Sequence, residues 1–200
     1  MKTNNFKIIA VIVGFFSFYV TGSCSESDSE VELHDFGFGI HMEQFKLNDI
    51  MGNANTIPAN KLIFTINVEN VLRIEPELGF NYVKNKEDET EDLGLFFGLG
   101  VFGMNQKGRT NIYGGLRFEY GNIKYQYSNW IGGGTVTDKT DRISVGPVCG
   151  AEYMFGTHFS IGGEFGVYYI GYKTKDGLTK LTAKEFYITL SSGLLMRFYF

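Results

Sequence analysis

Eight times between Leu33 and Phe200 the chain places apolar residues at every second position, with small or polar residues between them. The last stretch shows the pattern most fully. Phe186, Ile188, Leu190, Ser192, Leu194, Met196, Phe198 and Phe200, apolar but for Ser192, alternate with Glu185, Tyr187, Thr189, Ser191, Gly193, Leu195, Arg197 and Tyr199. Successive side chains of a β-strand point to opposite faces, so a two-residue period predicts two-faced strands. Few folds can use eight of them in one domain of 200 residues. The 26 Gly, 19 Phe and 12 Tyr fit a barrel or sandwich, in which glycines and aromatics recur along short strands.

The other seven strands centre on Phe36–Met42, Leu62–Val68, Arg73–Tyr82, Leu93–Phe102, Ile112–Gly121, Arg142–Phe155 and Phe159–Tyr169. Tight turns are expected near Asn70, at 105–111 and at Gly156–His158. Polar segments at 46–60, 84–92, 121–141 and 172–184 read as long loops. Long and short connections therefore alternate. An up-and-down antiparallel barrel has this form, with one rim of loops and one rim of turns. Residues 33–200 form that single domain.

The choice of inward face follows from volume. One face of each strand is apolar. The other combines Gly, Ser and Thr with Glu43, Glu75, Glu77, Glu119, Glu152 and Glu164, and with Arg73, Arg117, Arg142 and Arg197. Eight strands enclose little space. Phe, Leu, Ile and Tyr from eight strands would overfill it, whereas glycines interspersed with charged residues fit. The apolar face is therefore expected in lipid and the charged face in the lumen. Lipid offers no partners to a sheet edge, so the first strand must pair with the eighth. A soluble lipocalin-type barrel is the competing fold, with the faces exchanged. Pro76 and Pro147 fall on the lipid face and each removes a ladder donor, which predicts a local bulge or break.

The N-terminus predicts export. Lys2 and Lys7 precede the apolar run Ile8–Val20, and Thr21-Gly22-Ser23 supplies small residues for cleavage. Residues 1–23 read as a signal peptide and 24–32 as a polar lead-in. Cys24 leaves open a lipoprotein form. A net charge of -4 argues against a nucleic-acid partner. Two cysteines cannot build a disulfide framework.

The alternating strands, the stretch Arg73-Ile74-Glu75-Pro76-Glu77-Leu78-Gly79-Phe80, the stretch from Gly146-Pro147 to Glu152-Tyr153 and the ending Arg197-Phe198-Tyr199-Phe200 resemble the small outer-membrane β-barrel proteins of Gram-negative bacteria, the eight-stranded group related in form to OmpA and OmpX. The resemblance covers residues 33–200. It implies an all-β, eight-stranded antiparallel up-and-down transmembrane barrel after an N-terminal signal peptide, placed in the cell outer membrane. It implies contact with outer-membrane lipid and lipopolysaccharide. It also implies that Phe198 and Phe200 serve as a signal to the barrel-assembly machinery. Members of the group have dissimilar roles, so the resemblance carries no activity.

Three functional classes follow for the lumen and loops. Arg–Glu pairs crosslinking the interior make a plug, and the protein then has a structural or surface-interaction role. An excess of lumen carboxylates over cations makes a narrow, cation-preferring channel instead. A lipid-modifying enzyme needs a nucleophile and base within reach, and the pairing offered, Ser192 with His34, is separated by roughly 25 Å along the last strand. No catalytic residue, cofactor or metal is expected: His34, His41 and His158 lack ligand spacing. Gly98-Leu99-Gly100-Val101-Phe102-Gly103 matches a dinucleotide fingerprint but lies within a strand, where its inward glycines make room for neighbours. The loops, with Tyr125, Tyr127, Trp130 and Lys173, Lys175, Lys180 and Lys184, are the expected place for an extracellular ligand.

Overall fold

The computed structural model describes residues 33–46, 60–85, 90–128 and 134–200. The signal-peptide, lead-in and Cys24 readings lie outside the described residues, as does Trp130. Eight strands follow in chain order: β1 Phe36–Lys46, β2 Asn60–Val68, β3 Leu72–Asn85, β4 Thr90–Lys107, β5 Thr110–Ser128, β6 Thr135–Met154, β7 Phe159–Lys175 and β8 Thr182–Tyr199. Each pairs antiparallel with the next, and β1 pairs with β8 to close the barrel. The closing register runs from Gly37 opposite Tyr199 to Lys46 opposite Ser191, with an irregularity between Glu43 and Phe45.

The faces follow the alternation. Arg73 and Arg197 are 0% exposed, whereas Phe80 is 68% and Ile188 70% exposed. The charged set is inside and the apolar set forms an outward belt, the opposite of a lipocalin-type barrel. Aromatic rings form an arc on the belt at the rim of short turns. Phe38 stacks on Phe198 at 5.5 Å and Phe198 meets Phe159 at 4.9 Å, with Phe155 and Tyr153 continuing the line. These rings join β6, β7, β8 and β1 across the seam. Tyr169 and Phe186 stack at 5.8 Å nearer the other rim.

The short-turn rim is as the sequence predicts, with refinements. The strands reach closer to the β4–β5 turn than expected, to Lys107 and Thr110, leaving Gly108 at φ 57°. Glycine at the first central position of a two-residue hairpin is what its backbone hand requires. Glu69, which the alternation assigns to the inward face, lies instead in the β2–β3 turn with φ 51°, beside Asn70 at φ 54°.

At the opposite rim the sequence overestimates the loops. Of the segments expected as loop, the described residues of 84–92 are strand, those of 121–141 are strand except Gly134, and in 172–184 strand takes in all but the turn at 176–181. β5 and β6 pair as far as Ser128 opposite Thr135, and β7 and β8 as far as Lys175 opposite Thr182. Beyond the bilayer both faces of a hairpin are wet, so the apolar–polar alternation disappears while the backbone ladder continues. Asp176 organises the β7–β8 turn by accepting the Leu178 and Thr179 amides, each at 2.7 Å. Those bonds, Thr179 foremost, hold its carboxyl below the ordinary range.

Both prolines break a ladder on one side. The β2–β3 register stops at Ile63 opposite Glu77 and resumes at Ile66 opposite Ile74, skipping Pro76; on its other side Pro76 stands opposite Leu99. Pro147 likewise interrupts β6–β7 between Val145 and Val148 while pairing with Leu116. A strand residue directs its N–H to one neighbour, so each missing donor costs contact with one partner strand.

Candidate functional site: a charge ladder filling the lumen

The inward charges form one connected ladder of alternating sign. Near the short-turn rim Glu152 is the hub. Its carboxylate accepts from Arg73 Nη2 at 2.6 Å, Arg197 Nη1 at 2.8 Å, Ser160 Oγ at 2.9 Å, Asn111 Nδ2 at 2.9 Å and the Tyr199 hydroxyl at 3.0 Å. Five donors saturate the two oxygens. Arg73 is fixed from below as its Nε donates to Asn67 Oδ1 at 3.0 Å, while Asn67 Nδ2 donates to the His34 carbonyl at 2.8 Å.

Glu75 carries the ladder upward, pairing with Arg197 at 2.7 Å and Arg117 at 3.2 Å. Arg117 also holds Glu164 at 2.6 Å and pairs with Glu77. Lys61 lies 3.5 Å from Glu77 and pairs with Glu119, which meets Arg142 at 2.9 Å. Above these residues a cavity of about 10 Å³, room for about one water, is lined by Lys61, Glu119, Arg142, Ser144, Tyr168, Ile170, Thr189 and Ser191. Its floor is the top of the ladder.

Every inward charge with a described side chain that the sequence singles out is in this ladder. Glu43 lies in β1 opposite Gly193, and its side chain is outside the described residues. Lys61 narrows the expected carboxylate excess. It shares the inward parity of Ile63 and Thr65 but falls at the edge of a segment read as loop. With it, Lys61, Arg73, Arg117, Arg142 and Arg197 face Glu75, Glu77, Glu119, Glu152 and Glu164, equal in number among the described side chains.

The alternation places Phe96, Phe102, Tyr113 and Tyr199 inward, but their contacts with the guanidiniums emerge only in the structure. The guanidinium of Arg117 lies 5.0 Å from the Phe102 ring centre, and those of Arg73 and Arg197 each lie 5.2 Å from that of Tyr113. These contacts add attraction to cations already held by carboxylates. The glycines make the rings fit. A Cβ at Gly150 would collide with the Tyr113 ring, and one at Gly100 with Phe102. One at Gly121 would sit 2.6 Å from Phe96. A glycine opposite or two positions before an inward aromatic is the signal that could have found this. The inward glycines of the dinucleotide-like match, Gly98 beside Glu77 and Gly100 beside Phe102, therefore have a packing role.

The remaining candidates are not brought together. His34 stacks on His158 at 4.8 Å at the short-turn rim, while Ser192 stands on β8 opposite Phe45 and Phe165. His41 is buried and faces inward, where the missing side chain of Gly193 gives it room. Among the described residues no three His, Cys, Asp or Glu side chains group to hold a metal ion.

An apolar outward belt on a closed sheet, with charge confined inside, defines a transmembrane β-barrel of the outer-membrane type. The chain has the fold of the small eight-stranded outer-membrane barrels. Structures similar to it include a major outer membrane protein from Thermus thermophilus, at TM-score 0.49 and 12% identity, covering 84% of this chain and 100% of that chain. Ail, the attachment invasion locus protein of Yersinia pestis, in complex with the heparin analogue sucrose octasulfate, aligns at TM-score 0.47 and 12% identity, covering 82% of this chain and 95% of that chain. Neisserial surface protein A aligns at TM-score 0.44 and 12% identity, with the same coverage. No protein-family model and no curated protein matches the sequence.

Removing the hub should expose how the ladder works. Glu152→Ala leaves Arg73 and Arg197 buried without their shared carboxylate, so stability should fall by about 3–5 kcal/mol. Urea titration of the protein folded into lipid vesicles measures it.

Proposed function

We propose that this protein is a closed, non-conducting outer-membrane scaffold whose outward hairpins serve surface interaction. One observation carries it: the continuous ladder from Arg73 to Arg142, which occupies the lumen with mutually paired side chains. An ion crossing would have to displace buried pairs whose partners have no alternative solvation. An eight-stranded barrel is just wide enough for its own side chains. With the lumen filled, the paired hairpins above the belt are the surface open to a partner. Rigid arms such as β5–β6, with Tyr125 and Tyr127 5.5 Å apart near its tip, suit an extracellular partner. No catalytic step enters this role.

Purified protein in a planar bilayer should give no steady unitary conductance. Steady openings abolished by Glu119→Gln or Glu152→Gln would overturn the plug and leave a narrow channel.

The aromatic seam supports a second part of the proposal, that Phe198 and Phe200 are read by the barrel-assembly machinery. Both rings lie outward, with Phe38 5.5 Å from Phe198 and 6.4 Å from Phe200. F198A/F200A should slow insertion in cells more than it weakens barrels already folded. Insertion at the wild-type rate would contradict that role.

A further inference from the structure

Above the outward rings of Tyr120, Tyr169 and Phe186, the wall formed by β5 to β8 turns from apolar to basic. The register makes the change specific. Lys124 on β5 stands directly opposite Lys139 on β6, and Lys139 directly opposite Lys175 on β7. Beside this row Lys173 on β7 is opposite Lys184 on β8. All five are exposed and share the outward parity of Tyr169 and Phe186.

Residues directly opposite in an antiparallel pair have Cβ atoms about 4.5–5.5 Å apart, and like charges so placed repel. Among the described residues none of the five lysines forms an ion pair. The acid on the same face is Asp141, opposite Lys173, which accepts from the Tyr120 hydroxyl at 3.0 Å and from Asn122 Nδ2 at 2.9 Å. One carboxylate cannot neutralise five ammonium groups. On β3 and β4, by contrast, the outward cation is matched: Lys84 is opposite Glu91, 3.8 Å away. Repulsion built into the β5–β8 wall therefore calls for anions from outside the chain.

Height on the wall identifies their source. Lys184 is two residues beyond Phe186, Lys173 four beyond Tyr169 and Lys124 four beyond Tyr120. At about 3.4 Å per residue along strands tilted by about 40°, the backbone of Lys184 stands roughly 5 Å, that of Lys124 and Lys173 roughly 10 Å, and that of Lys175, six residues beyond Tyr169, roughly 16 Å above the aromatic positions. Lysine stems fold back along the wall and bring their ammonium groups down toward the headgroup layer, which flanks a hydrocarbon core about 30 Å thick. An occupant must also stand beside the barrel, with its lower part against Tyr169 and Phe186. We propose that Lys124, Lys139 and Lys175, flanked by Lys173 and Lys184, bind the phosphate groups of outer-leaflet lipid headgroups. The inference rests on the membrane placement of the barrel and extends it to a lipid-selective site.

The test uses full-length wild type and K124Q/K139Q/K175Q, folded into phosphatidylcholine vesicles containing bisphosphorylated lipid A or its dephosphorylated form. Lipid retained after mild detergent extraction is counted by native mass spectrometry. Heat-modifiable gel mobility reports folding separately. Wild type should retain the bisphosphorylated lipid at least tenfold over the dephosphorylated one. The glutamine variant should fold equally well and lose that preference, and K124R/K139R/K175R should keep it. Equal preference in wild type and the glutamine variant would overturn the site, as would displacement of the lipid by soluble polyphosphate at matched phosphate concentration. If neither form enters vesicles, the membrane placement itself fails, and the lipid site with it.

Discussion

Everything in this barrel depends on pairing charges that have no water to return to. Arg73, Arg117 and Arg197 are among the most buried side chains of the molecule, together with Glu75 and Glu152. A buried charge is strongly unfavourable alone and tolerable only with an opposite partner and filled hydrogen-bond sites. The barrel meets that condition by linking its cations and carboxylates from the short-turn rim to the upper void. Four of the five described carboxylates bridge cations on different strands: Glu152 of β6 holds Arg73 of β3 and Arg197 of β8, Glu75 of β3 holds Arg117 of β5 and Arg197, Glu77 meets Lys61 and Arg117, and Glu119 meets Lys61 and Arg142. The ladder thus ties opposite walls through the lumen, where the backbone hydrogen bonds tie only adjacent strands.

The belt and the ladder constrain one another. Lipid requires every strand edge to be paired, so the sheet closes, and closing eight strands leaves an interior narrow enough for side chains to cross. A narrow interior in turn requires glycines wherever a large ring or guanidinium lies. Gly100 beneath Phe102, Gly150 beneath Tyr113 and Gly37 beneath Tyr199 are where that requirement falls. Replacing any of them would move an aromatic ring that flanks an arginine.

Most of this was legible before the structure, because period two sets the face of every strand residue and the volume argument sets which face is inside. The alternation places Arg73, Glu75, Glu77, Arg117, Glu119, Arg142, Glu152, Glu164 and Arg197 inward, and all of them are. What alternation cannot show is where a strand stops. Lys61 was hidden by a loop boundary set at Asn60, although its parity is that of Ile63. The hairpin arms at 135–141 and 182–184 were hidden because sequence polarity ceases to alternate once both faces are in water. Nor does sequence give the register that sets Lys124, Lys139 and Lys175 side by side. Each lysine alone reads as a solvated charge, and only the strand pairing makes them a patch.

The central claim is that the lumen charges act as one coupled unit, and a double-mutant cycle tests it most directly. Arg117 and Glu164 are suited to it, joined at 2.6 Å and both buried. Unfolding free energies in urea would be measured for wild type, Arg117→Met, Glu164→Leu and the double variant. Each single substitution should cost about 3–5 kcal/mol because it strands a buried charge. The double variant should cost less than their sum by about 2 kcal/mol or more. Additivity within about 0.5 kcal/mol would mean the two charges do not depend on each other, and would contradict the ladder as the organising feature of the barrel.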